Sequence, residues 1–473
     1  MKKKGWGDVK LPDIKRSLLG VLGILSILFT GTLIFKTDII VLLIISIIWI
    51  ASVGRMTGMS VEDSLDGMRE GCSQAFVGLL FFLLIGAIIG VWIQAGTVPA
   101  LVYYGLGILT PRYFLLSAFL ICSLVSLILG TSWGTVGTVG VAIMGVAMGS
   151  KMSIPSAVVA GAVVSGSWFG DKMSPISDST VLTAASSGTD IYRHIRAMGK
   201  TTLPSYGVSL ILFYLLNRHY AQSVTLDTAQ IGLIREILRQ EFVISIWVFV
   251  PALLLIVLCI SRVHAVLSLV LVIAAGCVCS VWIQGNTVSE ALKAIMDGGH
   301  VETLSNEVNV LVNRGGINSM MSTFLLGFMA LCLGGILQKS QFLHVILERV
   351  TGKLKTHVSL IAVTMMTSIL GNAVFGDTYL TIVLNGNIYK EAYDKQGLDR
   401  AILSRTIEEG ATMSTPLIPW TAASAFIYGA LGAGALEYGP YALLNVVNPV
   451  LSLMMAAAGI GLSLKKDAVG AEA

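Results

Sequence analysis

"SGSWFGDKMSPISDST" occupies residues 165–180. It interrupts a chain whose flanking segments read as membrane helix. Two aspartates, a lysine, a proline and several hydroxyl side chains stand where lipid-compatible residues belong. A charge at mid-bilayer is expensive and is usually kept for function. An unwound backbone at that depth must line a cavity or a protein interior, because lipid offers its N–H and C=O groups no partner. Asp171 and Asp178 are seven apart and would share a face of an unbroken helix, but Pro175 between them predicts a break. The stretch therefore reads as a discontinuous helix around a polar site.

The surrounding composition supports this. The hydrophobic fraction is 55% and the charged fraction 12%, against about 25% charged in soluble domains. Apolar runs at 17–35, 38–54, 75–93, 243–260, 319–337 and 441–464 approach or exceed the ~18 residues that span a bilayer core. The first run is followed too closely by a second to be only a cleaved signal. The longest polar stretch, 218–241, is too short to build a core. The net charge of +4 gives no reason to expect a nucleic-acid partner. The cysteines lie mostly in apolar runs and read as small buried hydrophobes, so no disulfide framework is expected. No H-E-x-x-H spacing and no G-x-x-x-x-G-K-[ST] loop occurs, so neither a zinc site nor direct ATP hydrolysis is implied. No nucleophile–base pair suggests an enzyme, and no cofactor is expected.

The two halves of the chain echo each other. "SVEDSLDGMREG" at 60–71 matches "TVSEALKAIMDG" at 287–298, and "GVWIQAG" at 90–96 matches "GGILQKS" at 334–340. "LILGTSWGT" at 127–135 matches "SILGNAVFGDT" at 368–378, and "GDKMSP" at 170–175 matches "GATMSTP" at 410–416. Chance likeness of apolar segments would not preserve this order, so an internal duplication is predicted. If 113–149 and 357–393 are re-entrant hairpins, each half crosses an odd number of times and the repeats are inverted. That topology collects more Lys and Arg on the cytoplasmic side than full crossings do. The expected fold is an all-α polytopic membrane protein of two inverted repeats, each with a re-entrant helical hairpin and a discontinuous transmembrane helix. The expected parts are a cytoplasmic tail (1–16), the first repeat (17–217), an extracellular linker (218–241), the second repeat (242–464) and a cytoplasmic tail (465–473).

Four polar breaks recur at paired positions: 130–138, 170–180, 371–378 and 412–421. Broken helices expose carbonyl oxygens that coordinate cations and N–H groups that attract anions. In "GTSWGTVGT", Thr131, Ser132, Thr135 and Thr138 offer hydroxyls around a tight turn; the same glycines would also suit close helix packing. In the opening stretch, Ser174 and Ser179 accompany Asp171 and Asp178. A buried carboxyl binds either a proton or a sodium ion, and that competition is a minimal antiporter. Lys172 pairs with Asp171 or serves as a counter-charge. "GNAVFGDT" offers Asn372, Asp377 and Thr378, with Asp377 also suited to capping the helix that starts near Tyr379. "TMSTPLIPWT" offers Thr412, Ser414 and Thr415 but no acid. Glu408 and Glu409 precede it and align with Trp168 and Phe169, which disfavours them as symmetric ligands and leaves them a gating or proton-relay role.

"GTSWGT" at 130–135 followed by "GSWFGDKMSPISDST" at 166–180 resembles the NhaC-type Na+/H+ antiporter family of the wider ion transporter superfamily, over roughly 15–465. That family includes sodium/proton antiporters and exchangers of organic acids such as malate and lactate. The resemblance implies a homodimer with a scaffold and a moving domain. It implies a sodium site between 130–135 and 171–179, and a pseudo-symmetric one between 371–378 and 412–416. Ala411 stands where a counterpart of Asp171 belongs, which puts a symmetric second site in doubt.

The first functional expectation is a Na+/H+ antiporter of a bacterial plasma membrane with both termini cytoplasmic. Sodium is held by Asp171 or Asp178 with Thr131, Ser132, Ser174 and Ser179, and a freed carboxyl takes the returning proton. The second is a Na+- or H+-coupled carrier of a small organic acid or amino acid. Its carboxylate would be bound by amides at Thr131–Trp133 and Asn372–Val374, near Trp133, Phe375 and Trp420.

Overall fold

A computed structural model describes residues 11–462, apart from 75, 109–112, 150–153, 176, 222–227, 262, 264, 300, 302–307, 310–311, 314, 352–353 and 355. The tail expected at 465–473, most of that at 1–16 and the stretch 222–227 of the expected linker lie outside the described residues. The rest of 218–241 is helical, split between the end of Ile191–Ala221 and the helix Thr228–Glu241. No strand occurs among the described residues. Among the described residues, four helices are long and apolar enough to cross a bilayer, and up to seven if each of three bent pairs counts as one span. Leu22, Ile45 and Ile48 on the first two helices are exposed, a surface suited to lipid rather than water. The chain is a multi-pass, all-helical membrane protein.

The matched segments of the two halves adopt matched structures. Ser60 and Asp63 cap the helix Val61–Gln74 reciprocally: the Ser60 amide donates to Asp63 Oδ2 at 2.9 Å, and the Asp63 amide to Ser60 Oγ at 3.0 Å. Thr287 and Glu290 do the same for Val288–Asp297, at 2.7 and 3.2 Å. Each is a hydroxyl N-cap answered by an acid three residues on. Both amphipathic helices then pack on the other half. A Cβ on Gly71 would lie 2.4 Å from the Leu331 carbonyl oxygen, and one on Gly335 2.1 Å from that of Gly67. In the counterpart crossing, a Cβ on Gly90 would lie 2.3 Å from the Ala294 carbonyl oxygen. Such contacts are possible only between small residues, the usual means of close helix approach in membranes.

Two hairpins follow the same plan. Phe114–Leu129 ends at Gly130, whose φ of +67° closes the helix, and Thr131 is extended before Ser132–Thr135 begins. His357–Phe375 ends at Gly376 with φ +69°, and Asp377 is extended before Thr378–Lys395 begins. A left-handed glycine cap ends a helix in one residue. Each tip is therefore narrower than the polar stretch around it: Ser132–Thr135 is α-helical and Val136–Gly140 a π-turn. The caps also pair Gly130 with Gly376, whereas the sequence match pairs it with Gly371.

A broken helix follows each hairpin. Ser156–Met173 stops at Ser174 and resumes at Asp178–Ser187. Arg400–Ser414 passes through a 3-10 turn, Thr415–Leu417, and resumes at Ala422–Leu431. The first leg of each packs on the first arm of its own hairpin through an equivalent glycine. A Cβ on Gly170 would lie 2.3 Å from the Leu127 nitrogen, and one on Gly410 2.7 Å from the Met365 carbonyl oxygen. The second legs are exchanged. Gly386 of the second hairpin approaches Ser186, and Gly140 of the first approaches Leu431. Both tips and both breaks thereby converge on one place.

Candidate functional site at the two tips

The converging elements enclose a cavity of about 630 Å3. Thr131, Ser132 and Trp133 line it from the first tip, and Gly376, Asp377, Thr378 and Tyr379 from the second. Asp171, Asp178 and Ser179 line it from the first broken helix, and Thr412 and Thr415 from the second. Phe81, Phe82 and Trp168 complete an aromatic wall.

Asp171 lies in the last turn of Ser156–Met173 and aims its carboxylate at the first tip. Oδ2 accepts from Ser132 Oγ at 2.6 Å, and Oδ1 accepts from Ser177 Oγ at 2.5 Å. The helix-interrupting segment 174–177 thus folds back to deliver a donor to the acid that precedes it. Ser174 anchors that segment by donating to the Leu127 carbonyl at 3.0 Å. Ser177 Oγ lies 3.2 Å from Ser179 Oγ, and Ser179 donates to Glu408 Oε1 at 3.1 Å. Glu408 also accepts from Thr183 at 2.5 Å and Thr412 at 2.8 Å. Hydroxyl groups therefore connect the half-buried Asp171 carboxylate of the first half with the buried Glu408 carboxylate of the second. Asp178, at the start of Asp178–Ser187, is exposed toward the cavity.

Asp171 and Lys172 point in different directions, as neighbours on a helix must. Lys172 is fully buried, donates to Asn448 Oδ1 at 2.5 Å and lies 4.0 Å from Glu409 Oε1. Glu409 accepts from Thr201 and, at 2.5 Å, from Ser452, and stands 3.8 Å from Arg405 Nε. A buried charge survives only when paired and hydrogen-bonded, and Lys172 and Glu409 meet that need behind the cavity. Lys172→Met removes one charge and leaves Glu409 short of a partner. The expected cost is about 3–5 kcal/mol, read as a lower melting midpoint in detergent.

The other expected site residues divide. Thr131 accepts from the Gly134 amide at 3.3 Å, and Thr135 donates to the Thr131 carbonyl at 3.0 Å. Both serve the tip's own turn. Asp377 accepts from the Leu380 amide at 3.0 Å and caps the following helix. Asn372 Nδ2 donates to the Ala411 carbonyl at 2.5 Å, Ser414 at 3.0 Å and Thr415 at 2.7 Å. Thr378 bonds Thr415. Phe375 and Trp420 are buried outside the cavity lining. Trp420 donates to the Ala373 carbonyl at 2.7 Å and meets Phe29 edge-on at 5.2 Å. Trp133 does face the cavity, stacked on Phe426 at 4.8 Å.

Glu408 and Glu409 are the residues that repeat alignment undervalued. A signal was present in "RTIEEGAT" at 405–412. Arg405–Glu409 and Glu408–Thr412 are each four apart, the spacing at which side chains on one helix meet.

Residues 14–186 and 166–460 each match the Na+/H+ antiporter family. The chain is 36% identical to the Na(+)/H(+) antiporter NhaC of Alkalihalophilus pseudofirmus, covering 95% of this chain and 96% of that protein. It is 34% identical to the Malate-2H(+)/Na(+)-lactate antiporter of Bacillus subtilis, covering 94% and 95%. It is 31% identical to the Arginine/ornithine antiporter ArcD of Halobacterium salinarum, covering 96% and 94%.

Proposed function

We propose, from the premise that the chain belongs to the Na+/H+ antiporter family, that it exchanges sodium for protons at the cavity between the two tips. It is a secondary transporter, and sodium and protons are its transported ions. The observation that carries the site assignment is the Asp171 carboxylate, held by Ser132 from the tip and Ser177 from the helix break. A hydroxyl carries one donor and two acceptor lone pairs. Ser132 and Ser177 donate to the carboxylate when no cation is bound, and turn their lone pairs toward a sodium ion when one arrives. Thr131 and Ser179 at the cavity edge, Asp178 facing it and the cavity water complete the oxygen shell. A proton on Asp171 cancels the charge that holds sodium, so the two ions occupy the site alternately.

The second half plays a different part. Asp377 caps its tip, Asn372, Thr378, Ser414 and Thr415 tie that tip to the second break, and Thr412 donates to Glu408. This division supports one principal sodium site in the first half. The exchange of second legs between halves supports inverted repeats and re-entrant hairpins, with alternating access by an elevator-like displacement of the tips against a scaffold. In this reading the protein is a homodimer of a bacterial plasma membrane, with both termini cytoplasmic.

The test is a proteoliposome with an internal pH dye and an imposed inward sodium gradient. The interior turns alkaline without any organic solute. No change until malate, lactate or an amino acid is added would rule out plain ion exchange.

A further inference from the structure

Four features of the cavity go beyond what sodium requires. Its volume of about 630 Å3 falls in the ~300–1,000 Å3 range of small-molecule sites. A cation with a full inner water shell fills roughly a third of that, at ~30 Å3 per water. Its charge is one-sided. Asp171, Asp178 and Asp377 line it, and no Lys, Arg or His does among the described residues, because Lys172 turns to Asn448.

The third feature is the fate of the backbone donors. At the first tip the Gly134 amide donates to Thr131, and Ser132 Oγ to Asp171. At the second, the Leu380 amide donates to Asp377. Residues 372–374 lie inside the helix His357–Phe375, so they offer no free tip amides. The Gly134 and Leu380 amides are thus already used by the protein itself, and a substrate carboxylate would meet the negative charge of Asp171, Asp178 and Asp377. The fourth feature is the wall of Phe81, Phe82, Trp133, Trp168 and Tyr379. Trp133 is fixed by its stack on Phe426 and its edge contact with Phe82 at 5.3 Å. Ring faces attract cations, and weakly hydrated quaternary ammonium and guanidinium heads give up less water than sodium does to reach them.

We infer that this cavity also binds and exchanges small organic cations carrying a quaternary ammonium or guanidinium head, and rejects free carboxylates. This rests on the reading of the cavity as the transport site. The organic ligand sits across the aromatic wall with its head at the carboxylates, where it competes with sodium.

The experiment measures uptake of radioactive sodium into proteoliposomes of the full chain, driven by an outward proton gradient. Tetramethylammonium chloride, guanidinium chloride, potassium malate and potassium lactate are added separately, with potassium chloride as the control. Both organic cations inhibit competitively, and malate and lactate do no more than potassium chloride. Trp133→Leu raises the inhibition constant for tetramethylammonium about fivefold relative to the sodium KM. The inference is overturned if neither cation inhibits, or if malate or lactate competes. Absent proton-driven sodium uptake would sink the antiport reading instead. Tetramethylammonium binding by calorimetry would then decide the inference on its own: heat of binding supports it, and none overturns it.

Discussion

Asp171→Asn lowers sodium-driven proton exchange by about two orders of magnitude or more, on the scale of removing a positioned proton-transfer group, while the protein remains folded. The asparagine side chain has nearly the same shape and keeps one carbonyl oxygen to accept from Ser132 or Ser177. It has no negative charge to hold sodium and no site for the returning proton. Both halves of the exchange therefore fail together. The rate is read with the pH dye in proteoliposomes, and folding by monodispersity and melting in detergent. Exchange at near the wild-type rate would mean that the coupling carboxylate lies elsewhere, with Asp178 and Glu408 next in line.

Gly170→Ala prevents the first broken helix from seating on the first hairpin. The added Cβ would lie 2.3 Å from the Leu127 nitrogen and 2.5 Å from the Ser123 carbonyl oxygen. Both are backbone atoms, so no side chain can move aside; the helices must separate, and overpacking of this kind costs about 1–3 kcal/mol or more. The same displacement carries Asp171 away from Ser132, so exchange falls with stability. Gly410→Ala meets the Met365 carbonyl oxygen at 2.7 Å and has the same effect in the second half. Gly207→Ala, in the helix Ile191–Ala221 with nothing within 4 Å of its Cβ, is the matched control. It leaves melting unchanged or slightly raised, since alanine favours helix. Equal melting midpoints for Gly170→Ala and Gly207→Ala would contradict this packing.

The places where the helices break were legible because Gly, Ser, Thr and Pro inside an apolar run have few other uses. Their extent was not. A left-handed glycine at 130 or 376 ends a helix within one residue, so much of each polar stretch remains helical. The role of Asp377 was legible only as a choice between capping and coordination, because the same carboxylate serves both and backbone geometry decides. Phe375 and Trp420 flank a break, but adjacency does not say which way a side chain points, and both turn away from the cavity. Glu408 and Glu409 have no acidic counterpart in the first half, so the duplication does not point to them as ligands. The halves share a frame, yet the second places its acids a turn earlier and uses them to tie Ser179, Thr183, Lys172 and Ser452 together. The exchange of helices between halves is a tertiary property, and no local pattern records it.

The most direct measurement is sodium binding by calorimetry to wild type, Asp171→Asn and Asp377→Asn in parallel. Asp377 caps a helix, and asparagine caps as well as aspartate does. Sodium affinity is therefore lost in Asp171→Asn and retained within about threefold in Asp377→Asn. Retained affinity in Asp171→Asn, together with its loss in Asp377→Asn, would place the sodium site in the second half and contradict the assignment made from Ser132, Ser177 and Asp171.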